Sequence, residues 1–134
     1  MGYPIYHTRG VSRNERFKGL GNSFQVDTVA YHLSVLKKLY PHGINVLSLF
    51  SGIGGAEVAV HRLGIPMKNV VSVEKSEEWI GCFGGFDLVI GGSPCNNLSG
   101  GNRWTRDGLE GEHSSLFYHY PRILEAVKSL MNRI

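Results

Sequence analysis

Apolar residues recur along the chain with the spacings typical of helices and of buried strands. In the segment 24–40 they return every three or four positions, which predicts one amphipathic helix, and the proline and glycine that follow are expected to end it. The short run 44–50 is mostly apolar, the pattern of a strand that is buried on both faces. The apolar face of the helix consists of Val26, Val29, Ala30, Leu33, Val35, Leu36 and Leu39.

The remaining periodic segments predict two more helices and two more strands. A last helix should be kinked or restarted by Pro121, because proline lacks the amide hydrogen that a helix interior needs. Residues 1–22 are predicted to be irregular, since one proline and four glycines punctuate this basic stretch. The predicted ranges are a helix over 56–63, strands over 69–74 and 86–90, and the last helix over 114–131.

The alternation of strands and helices predicts an α/β fold with about three parallel strands. A strand, a glycine-rich loop, a helix and a second strand follow one another between residues 44 and 74, which is a βαβ unit. Only eleven residues, 75–85, separate the second predicted strand from the third. A crossover with its helix takes about 10–12 residues, so one connection fits there and an additional strand does not.

Composition limits the class of protein but does not identify it. The chain has 134 residues, 42% of them hydrophobic and 19% charged, which suits one globular domain over 1–134. No apolar run approaches the about 18 residues that a membrane span needs. Two cysteines, Cys82 and Cys95, are too few for a disulfide framework and favour a reducing compartment. The net charge of +3 is only a mild indication of a polyanionic partner.

Two loops follow predicted strands and therefore open at the same edge of the sheet, where parallel sheets bind ligands. The first, residues 51–55, contains three glycines, and Glu74 ends the next strand where it could accept hydrogen bonds from a ribose. This pattern indicates a nucleotide-type cofactor site or, alternatively, a tight turn beside a solvated acid.

The second loop holds Cys95, which is either a nucleophile or a small packed thiol. Further along, Arg103 and Arg106 flank Trp104, an arrangement suited to phosphate contacts and base stacking or, alternatively, a solvated basic loop. The six histidines are scattered, so we predict no role for them and no metal site.

Several phrases together resemble the cytosine-5 DNA methyltransferases. Residues 50–55 (FSGIGG) resemble the first motif of that family, and Pro94-Cys95 resembles its catalytic dipeptide. Residues 21–23 (GNS) resemble its last motif, yet here they precede the first motif. This order is the mark of the plant domains rearranged methyltransferases, which act in RNA-directed DNA methylation. Residues 91–97 and 111–117 resemble that subfamily closely, and the likeness spans almost the whole chain apart from 78–82.

The resemblance implies a partial Rossmann-like fold, S-adenosylmethionine as the cofactor and DNA as the substrate. Cys95 would be the nucleophile that adds to carbon 6 of a cytosine flipped out of the helix. The cofactor would be bound by Asn22, Ser23, Phe50, Gly52, Ile53, Gly54, Glu74, Lys75 and Pro94. The nucleic acid would be contacted by Asn96, Asn97, Arg103 and Arg106.

The departures from the family are expected to matter for activity. The glutamate that would hold cytosine N3 is not found, and the short connection 75–85 indicates an internal deletion. We therefore expect a truncated methyltransferase that is a poor catalyst, located by resemblance in the nucleus. The alternative is a non-catalytic partner that binds and stabilises a full-length methyltransferase. Neither a membrane nor a metal is expected as a partner.

Overall fold

The computed structural model of the chain describes residues 2–73, 84–93, 98, 107–112 and 114–132. Five helices and three strands lie in this part, together with two short 3-10 helices, Gly108–Glu110 and Ser114–Tyr118. The helices are α1 (Arg13–Gly21), α2 (Val26–Leu33), α3 (Leu36–Leu39), α4 (Gly55–Arg62) and α5 (His119–Met131). The strands are β1 (Ile44–Leu49), β2 (Met67–Val73) and β3 (Leu88–Gly91). No helix among the described residues is long and apolar enough to cross a membrane.

The strands form one parallel sheet in the order β2-β1-β3, which confirms the predicted α/β class and strand number. The central strand β1 is buried at every position except Asn45, because it has a neighbouring strand on each side and helices on both faces. Leu49, its last residue, pairs with Val73 of β2 and with Gly91 of β3. All three strands therefore end at the same level.

The two faces of β1 pack in two separate hydrophobic clusters. Leu47 and Leu49 face α5 and contact a cluster that includes Ile123 and Val127. The alternate residues Ile44 and Val46 pack against α4 and the residue Ile65 beyond it, together with side chains of α2 and α3. Successive side chains of a strand point to opposite faces, so one short strand supports both layers. The result is a three-layer arrangement of helices, sheet and helix.

The helix predicted over 24–40 is divided into α2 and α3 by Ser34 and Val35. At the break, both the Ser34 amide and the Ser34 hydroxyl donate to the Tyr31 carbonyl, at 3.2 and 2.7 Å. A serine that bonds to a nearby carbonyl competes with the regular helical pattern. The apolar spacing survives the break because Ser34 and Val35 both keep right-handed helical dihedral angles.

The prediction that residues 1–22 are irregular is wrong, since α1 forms there. Its start is a capping box in which the Glu15 amide donates to Ser12 Oγ at 3.3 Å and the Ser12 amide donates back to Glu15 Oε2 at 3.3 Å. The Ser-x-x-Glu signal was therefore present in the sequence. The helix lacked an apolar face, however, and none of its residues is buried.

Acidification is expected to loosen the start of α1. The hydrogen bonds from Ser12 hold the pKa of the Glu15 carboxyl below its ordinary value, so the folded helix favours the carboxylate. This stabilisation is present above the ordinary glutamate pKa of about 4.3 and is lost as the pH falls through the lower, folded value. Amide hydrogen exchange of residues 15–18 should therefore show less protection at pH 3 than at pH 6. In Ser12→Ala the difference between the two pH values should shrink, and an unchanged difference would contradict the assignment.

The prediction that the last helix restarts near Pro121 is confirmed. A 3-10 helix over Ser114–Tyr118 leads into α5 at His119, and Pro121 is the third residue of α5. The first amides of a helix have no intrahelical acceptor, so a proline there costs no helical hydrogen bond. The helix therefore begins five residues later than the predicted range.

Candidate functional site

The loop between β1 and α4 has an unusual backbone at the carboxyl end of the sheet. Phe50, Gly52 and Gly54 have φ angles of 54°, 52° and 75°, which lie in the left-handed region. The Phe50 amide donates to the Val73 carbonyl at 2.9 Å, and the Gly54 amide donates to the Ser51 carbonyl at 2.8 Å. Three left-handed residues in five explain why glycine occupies two of these positions.

The outer side of this loop is exposed at Gly52. A Cβ built on Gly52 would have no atom within 4 Å in the described part of the chain, and Gly52 itself is exposed. The inner side is closed instead, because the side chains of Tyr3 and Phe24 lie against Gly55 at the start of α4. Among the described residues, the Gly52 side of the loop is therefore less crowded than the Gly55 side.

The segment before α2 packs along the loop. A Cβ built on Gly19, in α1, would lie 2.8 Å from Ile53 Cγ2, and Phe24 contacts Gly55. Asn22 and Ser23, predicted to bind the cofactor, lie between these two contacts in the chain. Asn22 is exposed at the end of α1, and Ser23 Oγ donates to the Leu20 carbonyl at 2.8 Å. The structure thus brings the GNS segment alongside the FSGIGG loop, although the two are about thirty residues apart in the sequence.

The second predicted loop begins next to the first one. Gly91 pairs with Leu49, and a Cβ on Gly91 would meet the Leu49 carbonyl oxygen, so β1 and β3 are closely packed at their ends. One residue later, a Cβ on Gly92 would lie 3.8 Å from the ring of Phe24. Phe24 therefore lies close to both loops, and the prediction that both open at one edge of the sheet is confirmed for Gly91 and Gly92.

Several polar atoms near the loop are buried without a hydrogen-bond partner among the described residues. They are Tyr3 Oη, Ser51 Oγ and Glu57 Oε2. The other carboxylate oxygen of Glu57 accepts a long hydrogen bond from Ser72 Oγ at 3.4 Å. Buried polar atoms are nearly always paired in folded proteins, so atoms of this kind favour a bound polar ligand or water. Their chemistry and the glycine backbone suit a ligand with several hydrogen-bonding groups.

The remaining predicted site residues are Phe50 and a set that lies outside the described part of the chain. Phe50 is half-buried, and its side chain packs against the cluster on the α5 face of the sheet. Eight of the predicted residues lie outside the described part of the chain: Glu74, Lys75, Pro94, Cys95, Asn96, Asn97, Arg103 and Arg106. Within the described ranges, no group of three histidine, cysteine, aspartate or glutamate side chains could hold a metal ion.

One residue with no predicted role contacts the loop directly. His7 Nε2 lies 2.6 Å from the carbonyl oxygen of Ile53. Because a carbonyl only accepts, Nε2 must carry the hydrogen of this bond. The two residues are 46 positions apart, and no local pattern in the sequence connects them.

Comparisons with known proteins agree with the sequence motifs. The chain is 61% identical to DNA (cytosine-5)-methyltransferase DRM2 of Oryza sativa subsp. japonica, with 100% of the chain and 28% of the relative covered. It is 57% identical to DRM2 of Arabidopsis thaliana, over 98% of the chain and 27% of that protein. It is 36% identical to DRM3 of Arabidopsis thaliana, whose name describes a probable inactive DNA (cytosine-5)-methyltransferase, over 98% of the chain and 24% of that protein. No protein-family model matches the chain.

The chain spans about a quarter of the length of these relatives, and it is also shorter within the matched region. The match to the rice protein covers 167 residues against 134 in the chain, which leaves 33 residues of the relative without a counterpart. Because the match includes the whole chain, these missing positions fall between its first and last residues. The internal deletion predicted from the short connection 75–85 is in agreement with this difference.

Proposed function

The chain belongs to the domains rearranged branch of the DNA (cytosine-5)-methyltransferases, and from this premise we propose that it binds S-adenosylmethionine at the glycine loop over residues 50–55. The proposal extends to the reaction of the family. S-adenosylmethionine supplies the methyl group for carbon 5 of a cytosine in DNA. Cys95 is the nucleophile that adds to carbon 6 of the flipped-out base.

The observation that carries the proposal is the left-handed glycine loop at the end of the central strand. Gly52 is exposed and no described atom lies within 4 Å of its Cβ position, while buried hydroxyl and carboxylate atoms of Tyr3, Ser51 and Glu57 lack partners in the described structure. Ligands of open α/β sheets bind outside the carboxyl ends of the strands, which is where this loop lies. The cofactor has an amino group, a carboxylate and a ribose that such atoms can pair with.

The proposed division of roles follows the resemblance. Asn22 and Ser23 bind the methionine end of the cofactor, and the loop residues Phe50, Gly52, Ile53 and Gly54 line its path. Glu74 binds the ribose, with Lys75 and Pro94 at the adenine. Asn96, Asn97, Arg103 and Arg106 contact DNA, and the working compartment is the nucleus.

The isolated chain is proposed to be a weak catalyst. Positioned acid–base groups contribute about 10²–10⁴-fold to rates, and the glutamate that would hold cytosine N3 is not found in the sequence. A further 33 residues of the matched region of the rice relative have no counterpart in the chain. Binding of the cofactor therefore tests the proposal better than turnover does.

Calorimetric titration of the purified chain with S-adenosylmethionine should show saturable binding at one site, and Gly52→Ala should weaken it about tenfold. Alanine at a φ of 52° costs about 1–2 kcal/mol, and about 1.4 kcal/mol corresponds to a factor of ten. The matched control is Gly108→Ala, because Gly108 has a φ of 61° and, like Gly52, no described atom within 4 Å of its Cβ position, but belongs to neither loop. It should bind the cofactor like the unsubstituted chain.

Equal losses of affinity for S-adenosylmethionine in the two variants would assign the effect to general backbone strain and would contradict a cofactor site at the loop. A chain that unfolds cooperatively and binds no S-adenosylmethionine would favour the alternative, a non-catalytic partner of a full-length methyltransferase. The shorter internal sequence favours that alternative as well, because part of the enzyme is missing while the described residues still form a three-stranded sheet. Co-purification with the full-length enzyme, unaffected by Cys95→Ala, would then be expected.

A further inference from the structure

The conformation of the glycine loop is not determined by the loop alone. The peptide plane that joins Ile53 to Gly54 ends in a carbonyl oxygen on one side and an amide hydrogen on the other. Gly54 has a φ of 75°, and a glycine occupies positive and negative φ about equally well. Gly54 itself therefore presents no steric barrier to a flip of this peptide plane, which would exchange the directions of the carbonyl and the amide.

Two hydrogen bonds hold the peptide plane in its observed direction. The Gly54 amide donates to the Ser51 carbonyl at 2.8 Å, which is a local turn within the loop. The Ile53 carbonyl accepts from His7 Nε2 at 2.6 Å, a partner from outside the loop. A flipped plane would break both bonds and leave the half-buried imidazole without its acceptor.

His7 is itself fixed by its surroundings. Its ring packs against the ring of Tyr3, with the centroids 5.0 Å apart, and Tyr3 lies against Gly55. The start of this segment is attached to the helical layer, because the Arg62 guanidinium donates to the Gly2 carbonyl at 2.8 Å and pairs with Asp27. The imidazole is therefore presented to the loop by a segment with its own anchor.

We propose that His7 is a positioning residue of the cofactor site, and that its hydrogen bond to the Ile53 carbonyl selects the loop conformation that binds S-adenosylmethionine. The expected effect of His7 on the affinity for S-adenosylmethionine rests on the proposed cofactor site. The expected effect of His7 on the loop conformation does not depend on that site. His7 is not expected to touch the reacting atoms.

The test compares His7→Phe with His7→Gln. Phenylalanine keeps the ring that packs on Tyr3 and removes the donor, whereas the side-chain amide nitrogen of glutamine can reach about as far as Nε2. Loss of one net hydrogen bond changes an equilibrium by up to about tenfold. His7→Phe should therefore bind S-adenosylmethionine about three- to tenfold more weakly in calorimetry, and His7→Gln should recover most of the affinity.

Amide hydrogen exchange separates positioning from a general loss of stability. In His7→Phe the Gly54 amide should lose protection selectively. The Gly64 amide is the internal reference, because it is also a left-handed glycine and also donates to the carbonyl three residues before it, at 2.9 Å. If His7→Phe proves unstable, the same comparison between His7→Gln and the unsubstituted chain applies, and protection of Gly54 should be retained.

Failure of the proposed function and failure of the positioning role would give different results. If the unsubstituted chain does not bind S-adenosylmethionine, the proposed function fails, and the exchange of Gly54 still decides whether His7 holds the loop. If His7→Phe leaves both the affinity and the Gly54 protection unchanged, the positioning role is overturned. Equal loss of protection at Gly54 and Gly64 would likewise overturn it, because the histidine would then act only on overall stability.

Discussion

Gly91→Ala is expected to lower the free energy of unfolding by about 3 kcal/mol or more, a loss at the upper end of those caused by overpacking. A Cβ at this position would meet the carbonyl oxygen of Leu49 and would lie 2.7 Å from the Leu49 Cβ. Leu49 is completely buried and belongs to the central strand. It cannot move aside without disturbing its pairing with Val73 on the other edge.

Gly92→Ala is the matched control for this substitution. Among the described residues, the nearest atom to a Cβ there is a ring carbon of Phe24 at 3.8 Å, which is ordinary van der Waals contact, and Gly92 is exposed. Its unfolding free energy should stay within about 0.5 kcal/mol of the original. Urea unfolding followed by circular dichroism measures both variants. Similar stabilities for the two would show that β3 is not packed on β1 at this level.

The parts of the fold that sequence could predict are those where burial dictates the residue type. β1 lies between two strands and two helical layers, so almost every position of it must be apolar, and its predicted range is off by one residue. The loop after it could be located because left-handed backbone requires glycine at residues such as Gly52 and Gly54. The parallel sheet followed from the βαβ order.

The features that sequence did not predict depend on exposed residues or on distant contacts. Helix α1 buries none of its residues, so apolar periodicity could not predict it. The one signal for it in the sequence is the Ser12–Glu15 capping box. The break at Ser34 comes from a side-chain hydrogen bond that leaves the apolar spacing intact. The contact of His7 with Ile53 joins residues 46 positions apart and depends on the folded path of the amino-terminal segment.

The candidate site likewise has parts that the sequence could predict and parts that depend on distant contacts. The residues of the first loop are brought together with Asn22 and Ser23 by the packing of Gly19 on Ile53 and of Phe24 on Gly55. Composition and periodicity carry no information about that packing, and the family resemblance alone linked the GNS segment to the loop. The predicted nucleophile Cys95 and the DNA-contacting residues lie outside the described ranges and stay predictions.

Ile123→Ala should be about as damaging as the change at Gly91, with a loss of about 3 kcal/mol from removed packing and the cavity left behind. Ile123 is 1% exposed and belongs to the cluster in which α5 covers Leu47 and Leu49 of β1. Among the described elements, α5 is the one helix on this face of the sheet. Phe50, at the start of the glycine loop, packs against the same cluster, so the loop depends on α5 for part of its support.

Met131→Ala, at the end of the same helix, is the control because Met131 is 47% exposed. It should change the unfolding free energy by less than about 0.5 kcal/mol, and both variants can be measured by urea unfolding. The cofactor experiments need this comparison, because a variant that loosens α5 would weaken binding indirectly through Phe50. If Ile123→Ala and Met131→Ala cost the same, α5 is not docked on β1 in solution. Among the described contacts, the glycine loop would then be held by Tyr3, His7 and Phe24 and by the hydrogen bond from the Phe50 amide to the Val73 carbonyl.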